Sequence, residues 1–275
     1  MNSMASPPTV LVSRARPLLG TLVVLHAVPA PGVDATGAIE AAFRAIETIH
    51  TCMSAHQPDS DLGRLARASA GERVPVHPYT ASVLRLARRW QVASAGAFDP
   101  GAAAVWLARR GLRPGLEAPG GAWGTLAGAC IDAESVLVDG PLPLDLGGIA
   151  KGFAVDQAVE ALRRQGIVHG LVNAGGDLRA FGERPWRVDL RHPVDWTRTR
   201  GLLRLREGAV ASSVDSPETQ FVRTRRRLQP WITCTVLARD CATADALTKW
   251  GMQAPSHSVQ WRAALARAGA HAWRA

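Results

Sequence analysis

Residues 145–156 read Asp-Leu-Gly-Gly-Ile-Ala-Lys-Gly-Phe-Ala-Val-Asp, placing an acid, two adjacent glycines and a lysine where an apolar segment gives way to helical spacing. Gly147 and Gly148 would let the backbone approach a ligand closely, and the helix that follows would open with free N–H groups favouring an anion. Lys151 adds a compact positive charge suited to phosphate. The order differs from a P-loop, which requires Gly-Lys-Ser/Thr. On these residues alone a phosphate site and a glycine turn without a ligand both remain open.

Lysine is scarce here. Lys and Arg together number 32, and only Lys151 and Lys249 are lysines, leaving 30 arginines. A chain that uses arginine for nearly every surface cation points to its two lysines as places where a compact ammonium is wanted. Lys249 lies four residues after Asp245, so the two share a helix face and can form an ion pair. Asp245 sits among Ala244, Ala246, Leu247 and Trp250, and a buried carboxylate in such company needs a partner. Asp99 before a proline also suits an ordinary turn. Asp145 and Asp177 could each satisfy the amides of their neighbouring glycines.

Composition bounds the rest. With 47% hydrophobic and 20% charged residues over 275 positions, the chain can bury a full globular core. No apolar run is long enough to span a bilayer. The net charge of +9 raises nucleic acid as a partner, yet the one dense basic cluster, Arg-Thr-Arg-Arg-Arg at 223–227, reads as a solvated loop with no recognition motif beside it. Cys52, Cys130, Cys234 and Cys241 show neither metal spacing nor a disulfide framework, which points to a reducing, cytoplasmic setting. The alternative is export, because residues 14–32 imitate a secretory signal ending in Ala-Val-Pro-Ala.

The elements that must position these residues follow from periodicity. Residues 20–27, with Thr21, Val23 and Val24, predict a strand in preference to a signal segment. Residues 34–53 predict a helix with Ile39, Phe43, Ile46, Ile49 and Met53 inward, and Ser60 caps a short helix through Leu65. A helix over 80–94 carries Val83, Leu84, Ala87 and Trp90, and the Gly/Pro-rich loop at 109–124 marks a lobe boundary near 111–125. Strands are predicted at 135–138, 142–144, 168–173, 186–191, 202–206, 210–213 and 231–237. Helices are predicted at 149–165, 243–252 and 258–268. Clustered strands joined by apparent hairpins indicate an α+β fold rather than a doubly wound sheet.

Six segments in order resemble the ApbE family, the FAD:protein FMN transferases: Leu-Leu-Gly-Thr-Leu-Val-Val-Leu at 18–25, Met-Ser-Ala-His at 53–56 with its following helix start, Gly-Ala-Phe-Asp-Pro-Gly at 96–101, the 145–156 segment, Leu-Val-Asn-Ala-Gly-Gly-Asp at 171–177, and Ala-Thr-Ala-Asp-Ala-Leu-Thr-Lys-Trp at 242–250. The resemblance implies a single domain over 1–275 with mixed sheets, packed helices and two closely associated lobes. It implies binding of FAD with Mg²⁺, and transfer of FMN to a threonine of a flavin-accepting target protein with release of AMP. Leu19, His56, Ala97, Phe98, Asp99, Asp145 and Lys151 would line the FAD site. The Gly148 carbonyl and Asp245 would hold the metal, with Thr248 as a further ligand, and Asp245 and Lys151 would serve catalysis. No nucleic acid and no membrane span enter this reading, and it assigns no oligomeric state.

The chain also departs from the family pattern. His56 stands where the family has a tyrosine, and Gly101 replaces the threonine of a Phe-Asp-Pro-Thr turn. The family's His-x-x-Asp-Pro-Arg-Thr-Gly segment before its last strand has no counterpart in residues 216–236, an interval without histidine, and Lys249 stands where the family has a threonine four residues after the aspartate. These departures keep a second function in view, a flavin- or nucleotide-binding protein without transfer activity.

Overall fold

The computed structural model describes residues 10–109, 123–192, 195, 197–214 and 233–274. In chain order the strands are β1 (Val12–Leu18), β2 (Thr21–Pro29), β3 (Arg73–Pro75), β4 (Cys130–Ile131), β5 (Ser135–Leu137), β6 (Ile167–Ala174), β7 (Asp177–Phe181), β8 (Trp186–Arg191), β9 (Thr199–Leu205), β10 (Gly208–Val214), β11 (Thr233–Ala238) and β12 (His271–Arg274). The helices are α1 (Ala35–Cys52), α2 (Asp61–Arg67), α3 (Pro78–Ala93), α4 (Pro100–Arg109), α5 (Ala150–Arg164), α6 (Cys241–Gln253) and α7 (Val259–Ala268). Seven strands form one antiparallel sheet in the order β1-β2-β6-β7-β10-β11-β12, beside a small β3-β5-β4 sheet and a β8-β9 hairpin. The α+β expectation holds.

The large sheet is buried on one face by α1, α5 and α6, and that core runs on without a break to Val74, Val136 and Val138 of the small sheet. Its other face carries a second apolar cluster, Leu171, Leu178, Ala180 and Val210, covered by Trp186, Val188 and Leu205 of the β8-β9 hairpin. The expected lobe boundary near 111–125 falls largely outside the described residues.

β2 alternates as its sequence predicts, with Val23, Leu25 and Ala27 inward, and it lies between β1 and β6. The 20–27 segment is therefore an integral strand, as predicted. Ser60 caps α2 by accepting the Gly63 N–H at 2.9 Å. Among the described residues no helix is long and apolar enough to cross a membrane.

Some expectations fail for identifiable reasons. Residues 142–144 are extended but form no strand. Pro141 and Pro143 remove two donors, and the Leu142 N–H donates instead to the Leu65 carbonyl at 2.9 Å. The 100–109 segment, to which the sequence assigns no element before the loop at 109, is helix α4: Pro100 opens it, and Asp99 Oδ1 accepts the N–H groups of Gly101 and Ala102 at 2.9 and 3.2 Å. β1 escapes the strand pattern because it is an edge strand rich in arginine and carrying Pro17. Its Arg16 reaches Glu40 at 2.7 Å and lies over the Phe43 ring of α1. β7 and β12 are too short for periodicity to reveal them.

Candidate functional site

The opening motif folds into the N-terminus of α5, where Ile149 stands in the capping position and supplies no side-chain hydrogen bond. Its glycines mostly admit other parts of the same chain. A Cβ on Gly152 would lie 2.3 Å from the Cys241 carbonyl oxygen, so only hydrogen there lets α5 and α6 pack this closely. The same Gly152 donates its N–H to Asp245 Oδ2 at 3.4 Å. A Cβ on Gly148 would lie 2.9 Å from Lys249 Cγ and 3.3 Å from the Phe98 ring. Gly147 donates its N–H to Asp145 Oδ1 at 2.7 Å, the local turn that the sequence allowed.

Four charged side chains meet beside this helix start. Lys151, in the first turn of α5, is in direct ion-pair contact with Asp177 at the head of β7. Lys249 Nζ lies 3.4 Å from Asp245 Oδ1 on α6, as their spacing predicts. Both carboxylates are buried, Asp245 at 0% side-chain exposure and Asp177 at 2%, whereas Lys151 and Lys249 keep 30% and 23%. The acids are the buried members of the cluster and the lysine side chains its partly exposed members.

Burial pushes the Asp177 carboxyl above its usual range, and the Asp245 charge adds to this, while both lysines pull the other way. Burial alone would lower the Lys151 pKa, but the charges of Asp177 and Asp245 outweigh it and raise the value overall. Lys151 therefore stays protonated throughout the neutral range. Lys249 also donates to Ser213 Oγ at 2.7 Å. Ser213 in turn is 2.6 Å from Thr248 Oγ1, whose hydroxyl donates to the Asp245 backbone carbonyl at 2.7 Å.

The remaining predicted residues fall around this cluster. Phe98 is buried against Gly148, and the Ala97 carbonyl accepts from the Gln253 side chain at the end of α6. Asp99 caps α4 and also accepts from Gln91 Nε2 at 2.9 Å, while the Asp145 N–H donates to the Pro100 carbonyl at 3.0 Å, joining the two loops. Leu19 occupies the β1-β2 turn, and the neighbouring Thr21 packs against Gly175 in the turn that leads to Asp177. His56 is exposed in the loop before α2. The basic 223–227 cluster lies outside the described residues.

Asp177 and Ser213 belong to the cluster but were not among the expected site residues. A Gly-Gly-Asp turn was the only hint of the first. Nothing in the local sequence marks the second, which reaches Lys249 across 36 positions.

A magnesium site fits this arrangement poorly. Mg²⁺ requires several oxygen ligands facing one space. Asp245 Oδ1 is buried without a hydrogen-bond partner, as a ligand oxygen would be, but the Lys249 ammonium already stands beside it. The Lys249 stem fills the space against Gly148, and the Thr248 hydroxyl is committed to Ser213 and to its own helix. Among the described residues no group of three or more His, Cys, Asp or Glu is arranged to hold a metal. Of the expected set of Gly148, Asp245 and Thr248, the first two are in contact with Lys249.

A family model described as "ApbE family" matches residues 19–271. A Rhodobacter capsulatus protein named FAD:protein FMN transferase is 31% identical over 264 residues, covering 86% of this chain and 50% of the relative. A Vibrio cholerae protein of the same name is 27% identical over 268 residues, covering 87% of this chain and 80% of the relative. The chain thus spans only half the length of the first. Among solved structures, a flavin transferase ApbE from Vibrio cholerae superposes with a TM-score of 0.76 at 24% identity, covering 97% of this chain and 94% of that one. The apo flavinyl transferase ApbE of Pseudomonas stutzeri gives 0.79 at 22% identity, covering 96% and 90%. The shared fold and the match over nearly the whole sequence establish that this chain belongs to the ApbE family.

Proposed function

We propose that the protein is an FAD:protein FMN transferase. The observation that carries this reading is the pair of partly exposed lysines, Lys151 and Lys249, beside the N-terminus of α5 and over two buried carboxylates. Such a surface favours a diphosphate: both lysines attract anionic oxygens, and the acids hold the lysines in place. The names of the relatives supply the reaction.

In that reaction the threonine hydroxyl oxygen of the target attacks the phosphorus of the FMN half of FAD. The bond from that phosphorus to the bridging oxygen breaks, AMP carries the bridging oxygen away, and the hydroxyl proton is released to water. Phosphoryl transfer of this kind depends on positioning and on neutralising oxygen charge. Lys151 and Lys249 contribute the charge. Asp177 and Asp245 are too deeply buried to meet substrate and act through the lysines, so Asp245 positions rather than reacts. Leu19, His56, Ala97, Phe98, Asp99 and Asp145 would frame the rest of the FAD site. Magnesium, where the reaction uses it, would supply further charge on the diphosphate, but the residues here do not form a site for it. Four free cysteines fit a reducing, cytoplasmic setting.

The second reading, flavin binding without transfer, draws on the absence of histidine from residues 193–232. Incubation with FAD and a flavin-accepting target protein, followed by in-gel fluorescence after denaturation, tests the proposal. Covalent flavin on the target supports transfer. FAD binding without covalent flavin favours the second reading, and no FAD binding overturns both.

A further inference from the structure

We propose that Lys249 is a built-in cation that takes the place of a divalent metal in this site, so that the diphosphate is handled by two ammonium groups and no tightly bound metal ion. The inference rests on the FAD reading for its substrate, but its geometry stands independently. Three observations support it.

The first is position. The Lys249 stem packs so closely on Gly148 that a Cβ there would fall 2.9 Å from Cγ, and its ammonium lies 3.4 Å from Asp245 Oδ1. The side chain thus runs from the Cα of Gly148 to the Asp245 carboxylate, the two residues expected to hold a metal. The ammonium is also fixed from a second direction, by Ser213 Oγ at 2.7 Å.

The second is charge. Asp177 and Asp245 carry two negative charges, and Lys151 and Lys249 carry two positive ones. These formal charges balance. A divalent ion entering among them would leave a large uncompensated positive charge in a mostly buried place, where repulsion is poorly screened.

The third is the fate of the other oxygen donor. The Thr248 hydroxyl is 2.6 Å from Ser213 Oγ and donates to the Asp245 backbone carbonyl at 2.7 Å. It helps hold the serine that holds Lys249. The hydroxyls of this region are organised around an ammonium, and an ammonium with 23% of its side chain exposed can still present an N–H to a phosphate oxygen.

The test is Mn²⁺ binding to the full-length protein without flavin, followed by electron paramagnetic resonance, for the unmutated protein, Lys249→Thr and Lys249→Ala. We expect no site tighter than millimolar in the unmutated protein. In at least one variant that keeps its circular dichroism spectrum, we expect one Mn²⁺ per chain, bound at least tenfold more tightly. Stoichiometric, tight Mn²⁺ binding by the unmutated protein would overturn the proposal whatever the variants do. Failure of both folded variants to gain affinity would overturn it too. A parallel titration with FAD in EDTA, read by flavin fluorescence, separates this idea from the functional reading. Binding that survives chelation supports the built-in cation, and binding that requires metal refutes it. A protein that binds no FAD under any condition sinks the transferase reading, while the Mn²⁺ result still decides the role of Lys249.

Discussion

Asp156 on α5 accepts the backbone N–H of Cys241, the first residue of α6, at 2.9 Å across 85 positions of sequence. Its other oxygen accepts the Ala242 N–H at 2.9 Å, and Arg179 of β7 donates to the first oxygen, Oδ1, at 3.0 Å. One carboxylate thereby joins the three elements that carry Lys151, Asp245 and Asp177. It caps α6 from outside its own chain segment, where negative charge suits the helix dipole.

That carboxylate should make stability depend on pH in an unusual direction. Burial raises the Asp156 pKa to about 6, against the opposing effects of Cys241, Arg179 and Ala242. The folded value lies above the unfolded one, so the folded state binds more protons between the two. Stability from this group therefore rises as pH falls through 6. Between pH 7 and pH 5 the unmutated protein should gain about 1 kcal/mol relative to Asp156→Asn. Urea denaturation of both proteins at the two pH values measures the gap, and a gap that stays constant or moves the other way would contradict the account.

Lys151→Ala should weaken FAD binding by about 1.5–3 kcal/mol, the scale of a charge-assisted contact. Isothermal titration calorimetry gives the value directly. Because the substitution strands a buried carboxylate at Asp177, thermal stability should fall as well, and Lys151→Ala/Asp177→Asn should recover stability but not affinity. Recovery of both would mean that Lys151 serves only the fold.

Leu19 and Gly20 form a two-residue turn between β1 and β2 with φ of 55° and 70°. Glycine and asparagine commonly take such angles, but leucine in the left-handed region costs about 1–2 kcal/mol. Strain of this size persists at functional sites where a particular side chain is wanted. Leu19→Asn should relieve it while losing an apolar contact worth about 1 kcal/mol, so the melting temperature should barely move. FAD affinity, by contrast, should fall several-fold by fluorescence titration. Unchanged affinity would remove Leu19 from the site.

The sequence alone determined much of the framework. Alternation in β2 and 3.6-residue spacing in α1 and α3 are local consequences of which face is buried, and Ser60 announces a helix start through its own side chain. The pairing of Asp245 with Lys249 follows from one turn of helix. Tertiary structure decided what periodicity does not carry. β1 hides its strand character because an edge strand needs no apolar alternation, and 142–144 loses its strand to flanking prolines and a distant carbonyl. Asp177, Ser213 and Asp156 join the site through contacts between residues 26, 36 and 85 positions apart. The scarcity of lysine marked two positions worth attention, but only packing showed that one of them lays its stem on Gly148 and its ammonium beside Asp245. Side-chain spacing along a chain reports faces and turns; which charges share a buried space is fixed only when separate elements are brought together.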